Sequence, residues 1–320
     1  MTTERVGYDS LYKRALGAAQ GLAQFLQAFD SETADLLRLD TIEPRGTELF
    51  DVLPEWYRRV ADIVAQVEER TAERKLLLIH AEVQWSRKRN LGRRMLDYYT
   101  LFRRATNLTV LPYVVLLYRD SPALGYRTYE ETFRGRTIAT LTYFQVSLPA
   151  LDAREYATGG NALARALSSA MRLPKPEEER QDVYRAAVAA ILGALGGGEM
   201  DEDAAVALWS LVHTYLPYHI ERPDEVEVEW SEEETTMVQQ LDRRWLAEIE
   251  ARGEARGEAR GEARGAVRAK RAWLKEDIAR RFGALPADMA ARLDRIERED
   301  DLDTVKGRLD MVTALDQLFA

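Results

Sequence analysis

Apolar residues recur with two different periods along the first 150 residues. From Tyr8 to about Ala28, they recur every three or four positions, which predicts an amphipathic helix. The same spacing is found in Ser86–Ala105. Four segments rich in β-branched and aromatic residues predict strands: Val60–Val67, Lys75–Gln84, Thr109–Tyr118 and Thr137–Leu148. The order of helix, strands, helix and strands predicts an α/β domain that ends near residue 150.

Two of the predicted strands contain uninterrupted apolar runs, LLLI at 76–79 and VVLL at 114–117. A strand with apolar side chains at every position has both faces buried, as in parallel or mixed sheets covered by helices on both sides. We therefore expect a mixed sheet of four or five strands with helices packed against it.

The chain after residue 150 has a helical pattern. Helices are predicted at about 152–171, 178–195 and 202–216, separated by proline and glycine residues. Glu221–Glu234 carries eight acidic residues and one Arg, which is typical of a solvated linker. The chain is accordingly divided into four parts: an α/β core at 1–150, a helical extension at 151–220, an acidic and then ARGE-repeat linker or helix at 221–268, and a small helical domain at 269–320.

The ARGE repeat from Ala251 to Glu262 has two interpretations. Each Gly in a helix costs about 1 kcal/mol relative to Ala, so the tract could be a flexible or weakly helical spacer. Alternatively, glycines at every fourth position would form one stripe on a helix, with Arg and Glu rows beside it. Two such helices from different chains could approach closely and pair Arg with Glu, which would give a homodimer through the C-terminal half.

Composition limits the possible chemistry. The 320 residues contain no Cys and three His, so disulfides, Cys nucleophiles and Cys-ligated metal sites are excluded. The N-terminal sequence lacks the pattern of a signal peptide and no long uncharged apolar run occurs, so we expect a cytoplasmic protein with no membrane partner. The net charge of −9 is uneven, with +2 in residues 1–150 (21 basic, 19 acidic) and −11 in residues 151–320 (24 basic, 35 acidic).

Acidic side chains interrupt two predicted strands. Asp62 lies in VADIVAQV, and Glu82 and Gln84 lie in LLLIHAEVQ. Residues two apart in a strand share a face, and an acid in an apolar strand requires a partner or a metal ion. If the two strands pair, Asp62 and Glu82 could together bind a hard cation such as Mg²⁺. Alternatively, both acids face solvent or a nearby Arg at the strand ends. His80, within the apolar run, is expected to be a core histidine.

Basic residues are concentrated directly after Gln84, with aromatic residues between them and Asp97 as the only acid. They are Arg87, Lys88, Arg89, Arg93, Arg94, Arg103 and Arg104. Such a cluster on a helix would bind phosphates independently of sequence, so DNA is the expected partner. Alternatively, these arginines pair with the acidic C-terminal half of the chain.

Several segments together resemble a known family. The chain contains, in order, YDSLYKRAL at 8–16, RRVADIVAQV, LLLIHAEVQ, and RRMLDYYTLF at 93–102 followed by an LP-VVLLY strand. This order resembles the recombination-promoting nuclease/putative transposase (YhgA-like) family of the PD-(D/E)XK nuclease superfamily. The segment WLKEDIARRFGALPADMAARLDRIE at 273–297 is similar to a small C-terminal helical domain of unknown function found in such proteins.

The resemblance implies a restriction-endonuclease-like sheet and a DNA endonuclease that uses Mg²⁺ or Mn²⁺. Asp62 and Glu82 would bind the metal, and Asp9 would be an additional acid or a plain helix N-cap. Lys13 would contact phosphate or solvent. Gln84 stands where the superfamily has Lys, and Gln has neither a positive charge nor a basic group. The alternative is therefore a catalytically weak or inactive nuclease-fold protein that binds nucleic acid or another protein.

Overall fold

The structure is a computed structural model that describes residues 6–45, 62–87, 89–215, 230–309, 312 and 315–319. Side chains are described from residue 11 onward within these ranges, with a few exceptions. The helices before and within the sheet region are α1 (Val6–Gly17), α2 (Ala19–Phe29), α3 (Ser31–Leu36) and α4 (Leu91–Thr106). The strands are β1 (Leu37–Pro44), β2 (Ile63–Glu69), β3 (Leu76–Gln84), β4 (Thr109–Leu116), β5 (Leu124–Phe133) and β6 (Arg136–Ser147).

The remaining elements are helical. They are α5 (Ala153–Thr158), α6 (Ala162–Leu167), α7 (Glu177–Gly196), α8 (Glu202–Tyr215), α9 (Glu232–Phe282), α10 (Ala287–Asp294) and α11 (Glu299–Leu309), with short 3₁₀ turns at Leu148–Ala150, Ser168–Ala170 and Leu315–Phe319. Among the described residues, no helix is both long and apolar enough to cross a bilayer.

Within the described ranges, six strands form one mixed sheet in the order β1-β2-β3-β4-β6-β5. β1, β2 and β3 are antiparallel neighbours, whereas β3, β4 and β6 run parallel and β5 returns antiparallel along β6. Helix α4 connects β3 to the parallel β4, as a crossover between parallel strands requires. The α/β class and the mixed sheet are confirmed.

The sheet has six strands, so the expected four or five is wrong. The two additional strands are β1 and β5, and each lies at an edge of the sheet. β5 has the sequence LGYRTYEETF and, among the described strands, pairs only with β6, so most of its side chains remain exposed. A strand of this kind lacks the apolar run that identifies β3 and β4.

Helices cover both faces of the sheet. On one face, α4 buries Met95, Tyr98 and Phe102 against the sheet. On the other, α1, α2 and the helices from α5 to α8 form a larger core with the alternate strand residues, including Ile79, Ala81 and Val83. Consecutive residues of β3 therefore contribute to different cores, which explains its continuous apolar sequence.

The chain divides into two compact units, Met1–Trp245 and Leu246–Ala320. The boundary between them falls inside the 51-residue helix α9. The ARGE repeat belongs to this helix, and nothing lies within 4 Å of a Cβ placed on Gly253, Gly257 or Gly261. The second unit has its own small core, formed by Leu274, Ile278, Leu293, Leu302, Val305, Leu309 and Leu318.

Candidate active site

The pairing of β2 with β3 brings the two predicted metal ligands to adjacent positions. The last pair of this antiparallel ladder is Ile63 with Ala81, and Asp62 is the residue directly before β2. One step further in the same register, Asp62 lies opposite Glu82. The Asp62 carboxylate is fixed there because its Oδ2 accepts a hydrogen bond of 2.8 Å from the backbone N–H of Val83.

Asp62 is buried and is paired with a cation from the first helix. Its side chain is 8% exposed, and Lys13 Nζ lies 2.6 Å from Asp62 Oδ1. Burial, followed by the negative charge of Glu82, raises the pKa of Asp62 to about 6, although Lys13 and the Val83 N–H act in the opposite direction. Since Glu82 influences the ionisation of Asp62, the two carboxyl groups share one electrostatic environment.

Glu82 is more deeply buried, with 2% of the residue exposed. Its Oε1 accepts hydrogen bonds from Arg94 Nη2 at 2.5 Å and from Gln84 Nε2 at 3.2 Å. Its Oε2 is buried and has no hydrogen-bond partner within the part of the chain that the structure describes. A buried carboxylate oxygen without a donor is costly, so this atom is available to a cation or a water.

Gln84 and His80 share the face of β3 that carries Glu82. Gln84 Nε2 donates to Glu82 Oε1 and, at 2.9 Å, to the carbonyl of Val83, so the amide orients the carboxylate. His80 is fully buried, and its ring lies 4.9 Å from the rings of Tyr98 and Phe102. Its Nε2 is 3.7 Å from Glu82 Oε2, which is beyond hydrogen-bond distance. The packing against two aromatic rings agrees with the expected core position of His80.

Two of the residues predicted to contact DNA are paired with the carboxylates in the structure, and their contact with DNA stays a prediction. Lys13 pairs with Asp62, and Arg94, whose side chain is 24% exposed, pairs with Glu82. Each buried acid therefore has one cation of its own, supplied by α1 and α4. In this arrangement the positive charges of Lys13 and Arg94 neutralise the site, and the Lys13 side chain stays 37% exposed.

Three other predicted DNA contacts are exposed. Arg87 and Arg89 lie in the turn that follows β3, and Arg93 lies on the outer side of α4. Arg87 is 72% exposed and contacts Asp120 at 3.2 Å. The side chain of Asp9 and the whole of Lys88 lie outside the described residues, so their predicted roles stay predictions.

A cleft of about 500 Å³ adjoins the sheet face that carries Glu82. Arg87 and Arg89 line it together with residues that the sequence did not single out: Tyr118, Asp120, Arg127, Tyr143 and Gln145. Gln145 pairs in register with Val114, which pairs in register with Glu82. The cleft is therefore two strands from the carboxylates, or about 10 Å at the usual strand spacing.

The start of α4 packs closely against β5 beside this cleft. A Cβ on Gly92 would lie 2.6 Å from the ring of Tyr129, so only glycine permits this contact. The close approach places the turn that carries Arg87 and Arg89 at the mouth of the cleft. Neither Gly92 nor Arg127 has a local sequence pattern that would have identified it, because the contact joins elements far apart in the chain.

Asp62 and Glu82 supply part of the ligand set that a hard divalent cation requires. Mg²⁺ is usually held by one or two carboxylates, with waters and substrate phosphate as the other ligands. Asp62 and Glu82 supply two carboxylates, and Glu82 Oε2 is a buried oxygen without a donor. Among the described residues, no group of three or more His, Asp and Glu side chains forms a metal cage. A site of this type would depend on waters and phosphate to complete the coordination.

Comparison with known proteins gives no match to a family model, to a curated protein sequence or to a solved structure.

Proposed function

We propose that this protein is a metal-dependent DNA endonuclease that hydrolyses phosphodiester bonds, with a core of the restriction-endonuclease-like type. The observation that carries the proposal is a pair of adjacent buried carboxylates, Asp62 just before β2 and Glu82 in β3, of which the second has an oxygen with no hydrogen-bond partner among the described residues. The mixed sheet and the helix that follows Gln84 support the same assignment.

In this proposal, Asp62 and Glu82 would hold Mg²⁺ or Mn²⁺. When bound, the ion supplies Lewis-acid polarisation of the phosphate and a water of lowered pKa. Gln84 holds Glu82 in position through its amide and can also orient a water. Lys13 and Arg94 neutralise the acids while the metal is absent. Once a metal ion compensates the acids, either cation would become available to a phosphate oxygen.

The arginines of the cleft, exposed Arg87 and Arg89 and half-buried Arg127, would hold the phosphates beside the cleaved bond. Because Asp62 must be ionised to bind a cation and its pKa is raised to about 6, cleavage should decline as the pH falls below about 6. That the protein is cytoplasmic and dimerises through its C-terminal half stays a prediction.

The test is plasmid nicking in Mg²⁺ by the wild type, Asp62→Asn and Glu82→Gln. Both substitutions remove a negative charge with little change in shape, so we expect the nicking rate to fall by about 100-fold or more, on the scale of lost metal catalysis. Asp97→Asn and Glu130→Gln make the same chemical changes at exposed positions and should nick at the wild-type rate. Unchanged nicking in Asp62→Asn and Glu82→Gln would exclude the assignment.

A second candidate function is a catalytically inactive nuclease fold that binds nucleic acid or another protein. One observation favours it: both carboxylates already have a cation, and Gln84 replaces the expected Lys. This candidate predicts DNA binding by the wild type without Mg²⁺-dependent nicking.

A further inference from the structure

A second cleft, of about 630 Å³, lies beside the segment that follows β4. The first cleft lies on the opposite side of this segment. Four cationic side chains line it, Arg119, Arg172, Lys175 and Arg180, and its described lining contains no acidic residue. Pro149, just after β6, forms part of its wall. The cleft therefore lies where the parallel strands β4 and β6 end, an edge of α/β sheets where ligands commonly bind.

The backbone around Arg172 and Lys175 is held in place. Arg172 N donates to Leu151 O at 2.9 Å, and Ala153 N donates to Arg172 O at 3.1 Å, so this loop is bonded on both sides to the segment after β6. On the opposite wall, Arg180 donates to the carbonyls of Pro174 and Lys175. The cleft is therefore preformed, and a ligand would lose little binding free energy to ordering it.

Arg119 is fixed by a buried serine. Ser147 Oγ donates to Tyr118 O at 2.7 Å and accepts from Asp120 N at 2.9 Å, so both neighbours of Arg119 are held by one hydroxyl group. Tyr118 and Asp120 line the first cleft, whereas Arg119 lines the second. The segment 118–120 therefore separates the two clefts and supplies residues to each.

The second cleft is also linked to the candidate active site. Leu117 N donates to Gln84 O at 2.8 Å, and Arg119 follows two residues later. Two residues span at most about 7.6 Å between Cα atoms. The Cα of Arg119 consequently lies within about 13 Å of the Cα of Gln84.

The charges of the cleft differ in how far they are neutralised. Arg180 is ion-paired with Glu177, and Arg172 contacts Asp152 at 3.4 Å while half of its side chain stays exposed. Arg154 contacts the same carboxylate more closely, at 3.0 Å.

Arg119 and Lys175 are exposed, and Arg119 donates to the backbone carbonyl of Pro149 at 3.4 Å. Arg119, Arg172 and Lys175 can therefore turn toward an anion, whereas Arg180 holds the wall.

We infer that this cleft binds the phosphate backbone of the DNA strand that passes the active site, an inference that rests on the proposed function. Arg119, Arg172 and Lys175 would each neutralise a phosphate oxygen, and Arg180 would act as a positioning residue. The strand would be held on both sides of the segment 118–120, by Arg87 and Arg89 in the first cleft and by this cluster in the second.

The test is the salt dependence of DNA binding in a metal chelator. The triple variant Arg119→Gln, Arg172→Gln, Lys175→Gln is compared with the wild type on a short duplex. Each phosphate contact contributes about 0.9 to the slope of log Kobs against log salt, so loss of three contacts should reduce the slope by about 2.7. The control triple variant Arg134→Gln, Arg136→Gln, Arg243→Gln has the same charge change at other exposed positions and should keep the wild-type slope.

An unchanged slope in the first variant, or an equal reduction in both variants, would overturn the inference. A second result would also overturn it: the wild type binds poly-glutamate, and the first variant loses this binding but still binds DNA. The ligand of the cleft would then be an acidic polypeptide. Binding is measured without metal, so the result does not depend on cleavage. Loss of nicking in Asp62→Asn tests the proposed function separately.

Discussion

Buried carboxylates lie against both faces of the sheet, and they differ in how completely their oxygens are hydrogen-bonded. On the face covered by α2, Asp30 accepts a hydrogen bond of 2.8 Å from the hydroxyl of Tyr113 on Oδ2, and one of 3.3 Å from Thr33 N on Oδ1. On the face covered by α4, Glu82 has its hydrogen bonds on one oxygen, and the other oxygen has no partner among the residues that the structure describes.

This difference in hydrogen bonding distinguishes Asp30, which has a structural role, from Asp62 and Glu82, which are suited to bind a metal ion. Asp30 caps α3 and holds Tyr113, and its partners are neutral groups of fixed position. Asp62 and Glu82 lie beside each other, so each negative charge opposes the other, and their cations come from long side chains that can move. A pair of this kind gains most from a divalent ion, because one ion offsets both charges.

The largest effect on stability is expected for Arg94→Met. Removing the partner of a buried carboxylate leaves its charge uncompensated and should lower the free energy of unfolding by about 3 kcal/mol. Mg²⁺ should restore part of this loss, because the ion takes over the compensation. Urea denaturation with and without Mg²⁺ measures both effects.

Arg93→Met provides the matched control, since Arg93 is the adjacent, exposed residue of α4. It should change stability by less than about 0.5 kcal/mol and should show no added response to Mg²⁺. If Mg²⁺ stabilises Arg94→Met no more than the wild type, the ion does not bind beside Glu82.

The next effect concerns the pH dependence of stability. The pKa of Asp62 is raised to about 6, so between about pH 4 and pH 6 the folded protein keeps a proton that the unfolded chain releases. The free energy of unfolding therefore falls as the pH rises through this window, by up to about 3 kcal/mol from this residue. In Asp62→Asn the decline should be smaller by that amount. Identical pH profiles for the two proteins would show that Asp62 is not in the environment described.

The smallest effect is expected on the opposite face. Tyr113→Phe removes the hydroxyl that donates to Asp30 and keeps the ring between Phe25 and Phe144. A hydrogen bond to a charged group contributes about 2 kcal/mol, so thermal unfolding should occur at lower temperature. Nicking measured well below that temperature should not change. Reduced nicking by the folded variant would show that the two faces are coupled.

Sequence periodicity predicted much of the sheet. The apolar runs of β3 and β4 are visible because both faces of these strands are buried, and Glu82 and Gln84 share a face because side chains alternate in a strand. β5 was missed because Tyr, Thr and Glu occupy most of its exposed positions, so the strand has no continuous apolar run.

The partners of the carboxylates could not be predicted in the same way. Arg94 was assigned to DNA because it belongs to a basic cluster, and only the packing of α4 on the sheet directs it to Glu82. The second cationic cleft joins Arg119 to residues some fifty positions later, at Arg172 and Lys175. Contacts at such separations depend on the connections between strands and helices, which leave no local pattern.

Calorimetric titration of the protein with Mg²⁺ tests the central claim most directly, because it asks whether Asp62 and Glu82 bind an ion together. We expect binding heat in the wild type and in Asp30→Asn, whose acid lies on the other face, and none in Asp62→Asn. Absence of heat in the wild type, or equal heat in Asp62→Asn, would contradict the account.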